Sequence, residues 1–126
     1  MNTIIIENEK IGQIRAKLLN NKNPNTVNTI IGNLPRELNL IAWGESLYEK
    51  MGLGIPAENT QIDCEVGDIG YWVRGDAMVI FFGKTPRSKN DYPVAASPVN
   101  VFAKIRGDCS VFKQFMTFSG TLKAGD

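Results

Sequence analysis

The sequence predicts a mainly β domain, a closed barrel or sandwich of about eight strands with two short helices. Three observations predict it. Apolar and polar residues alternate with a period of two in segment after segment between Ile4 and Ile105. Residues 78–82 are an unbroken apolar run, which suits a strand buried on both faces. Helical spacing occurs in only two places, over residues 27–34 and 111–116.

The elements follow in order. Ile4, Ile5 and Ile6 are a β-branched run suited to a first strand. Lys10, Ile11 and Gly12 can turn the chain. Ile14, Ala16 and Leu18 then alternate with Arg15 and Lys17, a half-buried strand paired back on the first. Asn23 and Pro24 read as a helix start, the asparagine as N-cap and the proline at the first helical position. Val27, Ile30, Ile31 and Leu34 recur at three-and-four spacing, and Gly32, Asn33 and Pro35 stop the helix. Leu38, Leu40 and Ala42 alternate as the next strand, which Trp43 and Gly44 break. Residues 46–49 form a further, antiparallel strand, and residues 53–59 a connection containing Gly and Pro. Thr60, Ile62, Cys64 and Val66 alternate as another strand before Gly67 and Asp68 turn the chain. Residues 69–73 and 77–82 read as a hairpin around Arg74, Gly75 and Asp76. Residues 83–97 read as a long loop stiffened by Pro86 and Pro93, with Pro98 following at once. Val99, Val101, Ala103 and Ile105 alternate out of it. Asp108 can cap a short helix over Val111, Phe112, Phe115 and Met116. The chain after Ser119 leaves room for only a short last strand.

The 126 residues are one domain's worth, so residues 1–126 are read as a single domain. Fourteen Lys and Arg against thirteen Asp and Glu leave a charge of +1, which asks for no nucleic-acid or anionic-membrane partner. Histidine is absent. That removes Ser-His-Asp and Cys-His catalysis and imidazole metal ligands. Cys64 and Cys109 make neither a zinc site nor a disulfide framework and read as small core thiols. The three-isoleucine run is too short for a secretory signal, and no stretch reaches the roughly 18 apolar residues of a membrane span. A cytoplasmic protein without membrane or cofactor is expected.

Gly83, Lys84 and Thr85 imitate the end of a phosphate-binding loop, but Met78 stands where the motif needs its first glycine and Pro86 where a helix should continue. Asp63 and Glu65 would share a strand face with Asp68 nearby, and such carboxylates read as a solvated outer face. Lys84, Arg87 and Lys89 read as a solvated basic loop. Aromatic residues carry more. Trp43, Tyr48, Tyr71, Trp72, Phe81 and Phe82 lie in strands or at their ends. Successive aromatics must point to opposite faces, so one of each pair is free to wall a pocket.

Gly12 to Leu18, followed by Asn23-Pro24-Asn25-Thr26-Val27-Asn28, resembles the opening strand and first helix of the cyclophilins. Phe81-Phe82, Thr85-Pro86, residues 101–105 and Val111 resemble a later cyclophilin stretch. A small prokaryotic family of cyclophilin-like proteins without an established function is more similar still. The blocks that resemble it are Trp43-Gly44-Glu45, residues 66–72, residues 81–86 and Ser97-Pro98-Val99-Asn100. The resemblance implies a closed eight-stranded antiparallel β-barrel with two capping helices. Cyclophilins isomerise prolyl bonds with an apolar groove for the ring and an arginine directed at the prolyl nitrogen. Phe82 matches a groove position, with Phe81 as the register alternative. The family's arginine block is missing here, as are its groove tryptophan and histidine.

The expected function is therefore binding of a small molecule or a proline-containing peptide in an aromatic cleft, without efficient isomerase activity. Trp43, Tyr48, Phe82 (or Phe81) and the loop carrying Thr85, Pro86, Ser97 and Pro98 would line it, with Asn100 in the adjoining block. Glu45 would supply its charge. A weak prolyl isomerase using Arg36, Arg74 or Arg87 is the first alternative. An amide-processing enzyme or module with Glu45 or Asp63 as a desolvated base is the second. Nothing in the sequence sets an oligomeric state.

Overall fold

The computed structural model describes residues 1–125. The strands are β1 (Thr3–Asn8), β2 (Gly12–Leu18), β3 (Arg36–Ala42), β4 (Ser46–Lys50), β5 (Gln61–Asp63), β6 (Asp68–Trp72), β7 (Ala77–Phe81), β8 (Val94–Ile105) and β9 (Thr117–Ala124). They run in the sheet order β2-β1-β9-β3-β4-β7-β6-β8, every pairing antiparallel. Pairing of β2 with β8, in the register Ala16↔Ile105, closes the ring into an eight-stranded barrel. The short β5 adds to β8 outside that ring. Closure removes the exposed edges that an open sheet would present.

The barrel interior is filled. Ile4 and Ile6 of β1, Ala16 and Leu18 of β2, and Leu38 and Leu40 of β3 alternate inward as their spacing predicts. One helix, α1 (Pro24–Ile31), adds Val27 and Ile30 to the same core. The second helix is a 3-10 turn over Ser110–Gln114, shorter than its sequence spacing predicts. It delivers Phe112 to a fully buried position between Phe82 and Phe118, at ring distances of 5.8 and 5.9 Å.

Several boundaries differ from the sequence reading. β8 begins at Val94, four residues before Pro98. The proline is accommodated because the β5–β8 register shifts between Gln61↔Val99 and Asp63↔Val94, an irregularity that spares a ladder N–H. β5 is only three residues long, not the seven-residue strand the alternation predicts. The last strand is eight residues long and lies between β1 and β3. Asn23 does not cap α1 with its side chain. Its amide instead donates to Val101 O at 2.8 Å and accepts from Asn59 N at 2.8 Å. The cap comes from Glu58, far along the chain, whose carboxylate accepts the N–H groups of Asn25 and Thr26 and the Thr26 hydroxyl at 2.9–3.1 Å.

Cys64 and Cys109 are free and buried. Burial pushes the Cys64 thiol up to about 12 and the Cys109 thiol above its ordinary value. Thiolate is the reactive form. Iodoacetamide at pH 8 is therefore expected to leave both native thiols unmodified and to label both in denaturant. Fast labelling of the native protein, read by mass spectrometry, would contradict that environment.

Candidate functional site

The outer face of the barrel carries a second apolar cluster, made of Cys64, Val79, Phe81, Ala95, Val99 and Val101. It explains the unbroken run at 78–82. Met78, Ile80 and Phe82 fill the barrel, while Val79 and Phe81 point outward. Directly paired residues on neighbouring strands share a face. The pairs Ser46↔Phe81, Tyr48↔Val79 and Trp72↔Val99 therefore set one continuous outer surface across β4, β7, β6 and β8. Trp43 stands at one end of it, and Ala95 and Ala96 of β8 stand at another. Together they enclose a groove of about 190 Å³.

The groove's walls are aromatic. The Tyr48 and Trp72 rings meet edge to face, 6.3 Å apart at 87°. Trp72 is fixed from two sides. Its indole N–H donates to the Ser97 hydroxyl, and its ring lies over the 73–76 turn, where a Cβ on Gly75 would fall 2.1 Å from Cε3. The Ser46 hydroxyl donates to Trp43 O at 2.6 Å. No buried polar side-chain atom among the described residues lacks a partner, so the Trp43 indole N–H and the Tyr48 hydroxyl, which have none, are open to solvent. The lining contains no charged side chain.

The structure brings Trp43, Tyr48 and Phe81 together in this groove, with Ser97 behind the Trp72 wall. The other residues expected there lie elsewhere. Phe82 is the inward member of its pair and packs on Phe112. Glu45 lies in the bend just before β4 and is not in the groove lining. It lines a separate, charged depression beside Phe82 and Lys84, to which its backbone is hydrogen-bonded. There its carboxylate accepts Lys84 N–H at 3.2 Å and lies 3.5 Å from Lys113 Nζ. Gly44, at φ 59°, permits this turn, since a Cβ would come within 2.9 Å of Lys84 O and Thr85 Cα.

Thr85 holds its own loop rather than a ligand. Its hydroxyl donates to Val94 O at 2.5 Å and accepts Arg87 N–H at 3.2 Å. Pro86 is exposed and covers Gly44. Pro98 lies in β8, outside the lining. Asn100 is fully buried on the inner side. It donates to Thr26 Oγ1 and Pro56 O at 3.0 Å and accepts Glu58 N–H at 2.9 Å, tying the 51–60 connection to α1. Ala95 and Ala96 fall within the 85–98 segment expected to line the site, whereas sequence reasoning leaves out Ser46, Trp72, Val79 and Val99 as lining residues. The signal that finds them is register: which partner each outward residue meets on the next strand.

Among the arginines, Arg36 donates to Met51 O at 3.4 Å, and Arg74 and Arg87 are exposed on a turn and a loop. Asp63 and Glu65 are exposed, and Glu65 shares Lys104 with Asp68 at 3.0 and 3.2 Å. Among the described residues, no group of three or more carboxylates and cysteines is placed to hold a metal ion. No helix among them is long and apolar enough to cross a membrane.

The fold is shared with a solved structure, the solution structure of a hypothetical protein from Archaeoglobus fulgidus. The two chains are 26% identical, the match covers 98% of this chain and 95% of that one, and the TM-score is 0.79. No curated protein matches the chain. The model of the cyclophilin-like family matches residues 2–120, and the chain belongs to that family.

Proposed function

We propose that the outer groove binds a small molecule or a proline-containing peptide by one compact apolar group, without efficient prolyl isomerisation. The observation that carries this reading is the 190 Å³ groove walled by Trp43, Tyr48, Trp72 and Phe81, preformed on the outside of a barrel whose interior is filled. A concave apolar site with a few polar groups among its lining is where ligands are taken. A dry cavity of roughly 150 Å³ takes one benzene-sized molecule, so this groove suits a single ring or a group of similar bulk. The free thiols fit a reducing cytoplasm.

Isomerisation must lower a barrier of about 18–20 kcal/mol, and a donor aimed at the prolyl nitrogen is the means the wider family uses. The groove lining has no arginine. An amide-processing reaction would need a carboxyl withdrawn from water, whereas Asp63 is exposed and Glu45 is paired with Lys113. The test is NMR exchange spectroscopy on short Xaa-Pro peptides, with the protein's indole signals followed in parallel. Unchanged cis–trans exchange with saturable movement of the Trp43 and Trp72 signals is expected from peptides that fit. Acceleration that disappears in Phe81→Ala would replace this reading with an isomerase.

A further inference from the structure

We infer that the group anchored in the outer groove is a methylated ammonium, so that the ligand class is a quaternary or methylated amine. This rests on the reading of the groove as a ligand site and adds the charge of what enters it. Four aromatic side chains surround the cavity, and aromatic faces carry negative electrostatic potential that attracts a cation. The lining contains no lysine, arginine or carboxylate, so an anion meets no counter-charge there. A primary ammonium brings three N–H donors that require acceptors. The lining supplies too few: its side-chain acceptors are the Ser46 hydroxyl, whose proton is already donated to Trp43 O, and the Tyr48 hydroxyl, two oxygens against three donors, while Trp72 offers only a donor, spent on Ser97. Full methylation removes those N–H groups and leaves a cation of about the bulk that the cavity holds. Its remaining interactions are with the aromatic rings and methyl-sized walls such as Ala95 and Ala96.

The walls are also held in place before a ligand arrives. Tyr48 and Trp72 stand perpendicular, and Trp72 is clamped between Ser97 and the side-chain-free Gly75. A clamped wall loses less freedom on binding than a mobile one, which favours affinity.

The experiment compares choline with its neutral isostere 3,3-dimethylbutan-1-ol on the full chain, following tryptophan fluorescence and the two indole N–H signals. Choline is expected to bind about five- to thirtyfold tighter, the ratio that cation–π attraction of ordinary size gives. Trp72→Leu is expected to shrink that ratio, and Gly75→Ala, which displaces the ring, to do the same with Trp72 still present. A folded Gly75→Ala protein, judged by unchanged circular dichroism, serves if Trp72→Leu does not fold. Equal affinity for the two probes, or tighter binding of the neutral one, overturns the charge assignment and leaves the groove standing. Failure of both probes to move the groove signals overturns the ligand-site reading and this inference with it. Choline shifts centred on Glu45 and Asp91 instead of Trp43 and Trp72 overturn this inference.

Discussion

Phe112→Ala is expected to destabilise the protein by about 3–5 kcal/mol, as large-to-small changes at fully buried aromatics do. Phe112 is the one side chain that the 3-10 turn drives into the barrel, and it touches both Phe82 and Phe118. Its removal opens a cavity that the rigid strands around it cannot close. Chemical denaturation reads the loss directly. Phe115→Ala is the control, because Phe115 is only partly buried and packs on Phe118 from outside. A loss below about 1 kcal/mol for Phe112→Ala would mean that the turn is not part of the core.

The second large effect concerns Asp76. Its carboxylate accepts the Tyr71 hydroxyl and the N–H groups of Leu53 and Gly54, at 2.9 and 3.1 Å to the backbone donors. Tyr71 in turn accepts Ile55 N–H at 3.2 Å. One carboxylate thus holds the start of the 51–60 connection and the hydroxyl of a fully buried tyrosine. Asp76→Ala orphans the Tyr71 hydroxyl and the Leu53 N–H, gives the exposed Gly54 N–H back to water and places Ala at φ 51°, so a loss of about 2–4 kcal/mol is expected. Asp76→Asn keeps an acceptor and a residue that tolerates positive φ, and it should cost much less.

The same pair sets a pH dependence. The Tyr71 hydroxyl, then the loop N–H groups, hold the Asp76 carboxyl below its ordinary value. The folded value lies below the unfolded one, so this stabilisation is present above about pH 4 and is lost as the pH falls further. Burial first, and Asp76 second, push the Tyr71 hydroxyl up to about 12. Its folded value lies above the unfolded one, so that contribution is intact below about pH 10 and is lost as the pH rises toward 12. Denaturation midpoints measured from pH 2 to 11 should show both slopes. Asp76→Asn should flatten the acid one, and an unchanged acid limb would show that other carboxylates produce it.

Much of the fold is legible in the sequence because strand alternation is a local signal. Ala16 and Leu18, Leu38 and Leu40, and the hairpin around Gly75 read correctly from spacing alone. Element ends read less well, because tertiary partners set them. Glu58 caps α1 from a distant connection, and a shifted register with β5 lets β8 run through Pro98. The site was half legible. Trp43 and Tyr48 stand out by composition, but Phe81 and Phe82 cannot be sorted within an apolar run that has no period. Only the pairing Ser46↔Phe81 decides which ring faces out. Glu45 is two residues from Trp43 in the chain, yet the bend at Gly44 puts it over a different depression.

The most direct test of the groove is to saturate the protein with benzyl alcohol, a one-ring probe, and map which backbone and indole N–H signals move. The groove reading predicts saturable shifts gathered at Trp43, Ser46, Tyr48, Trp72 and Ala95, and their loss in Phe81→Ala. Shifts centred on Glu45, Lys84 and Lys113, or a response that grows linearly and never saturates, would contradict it.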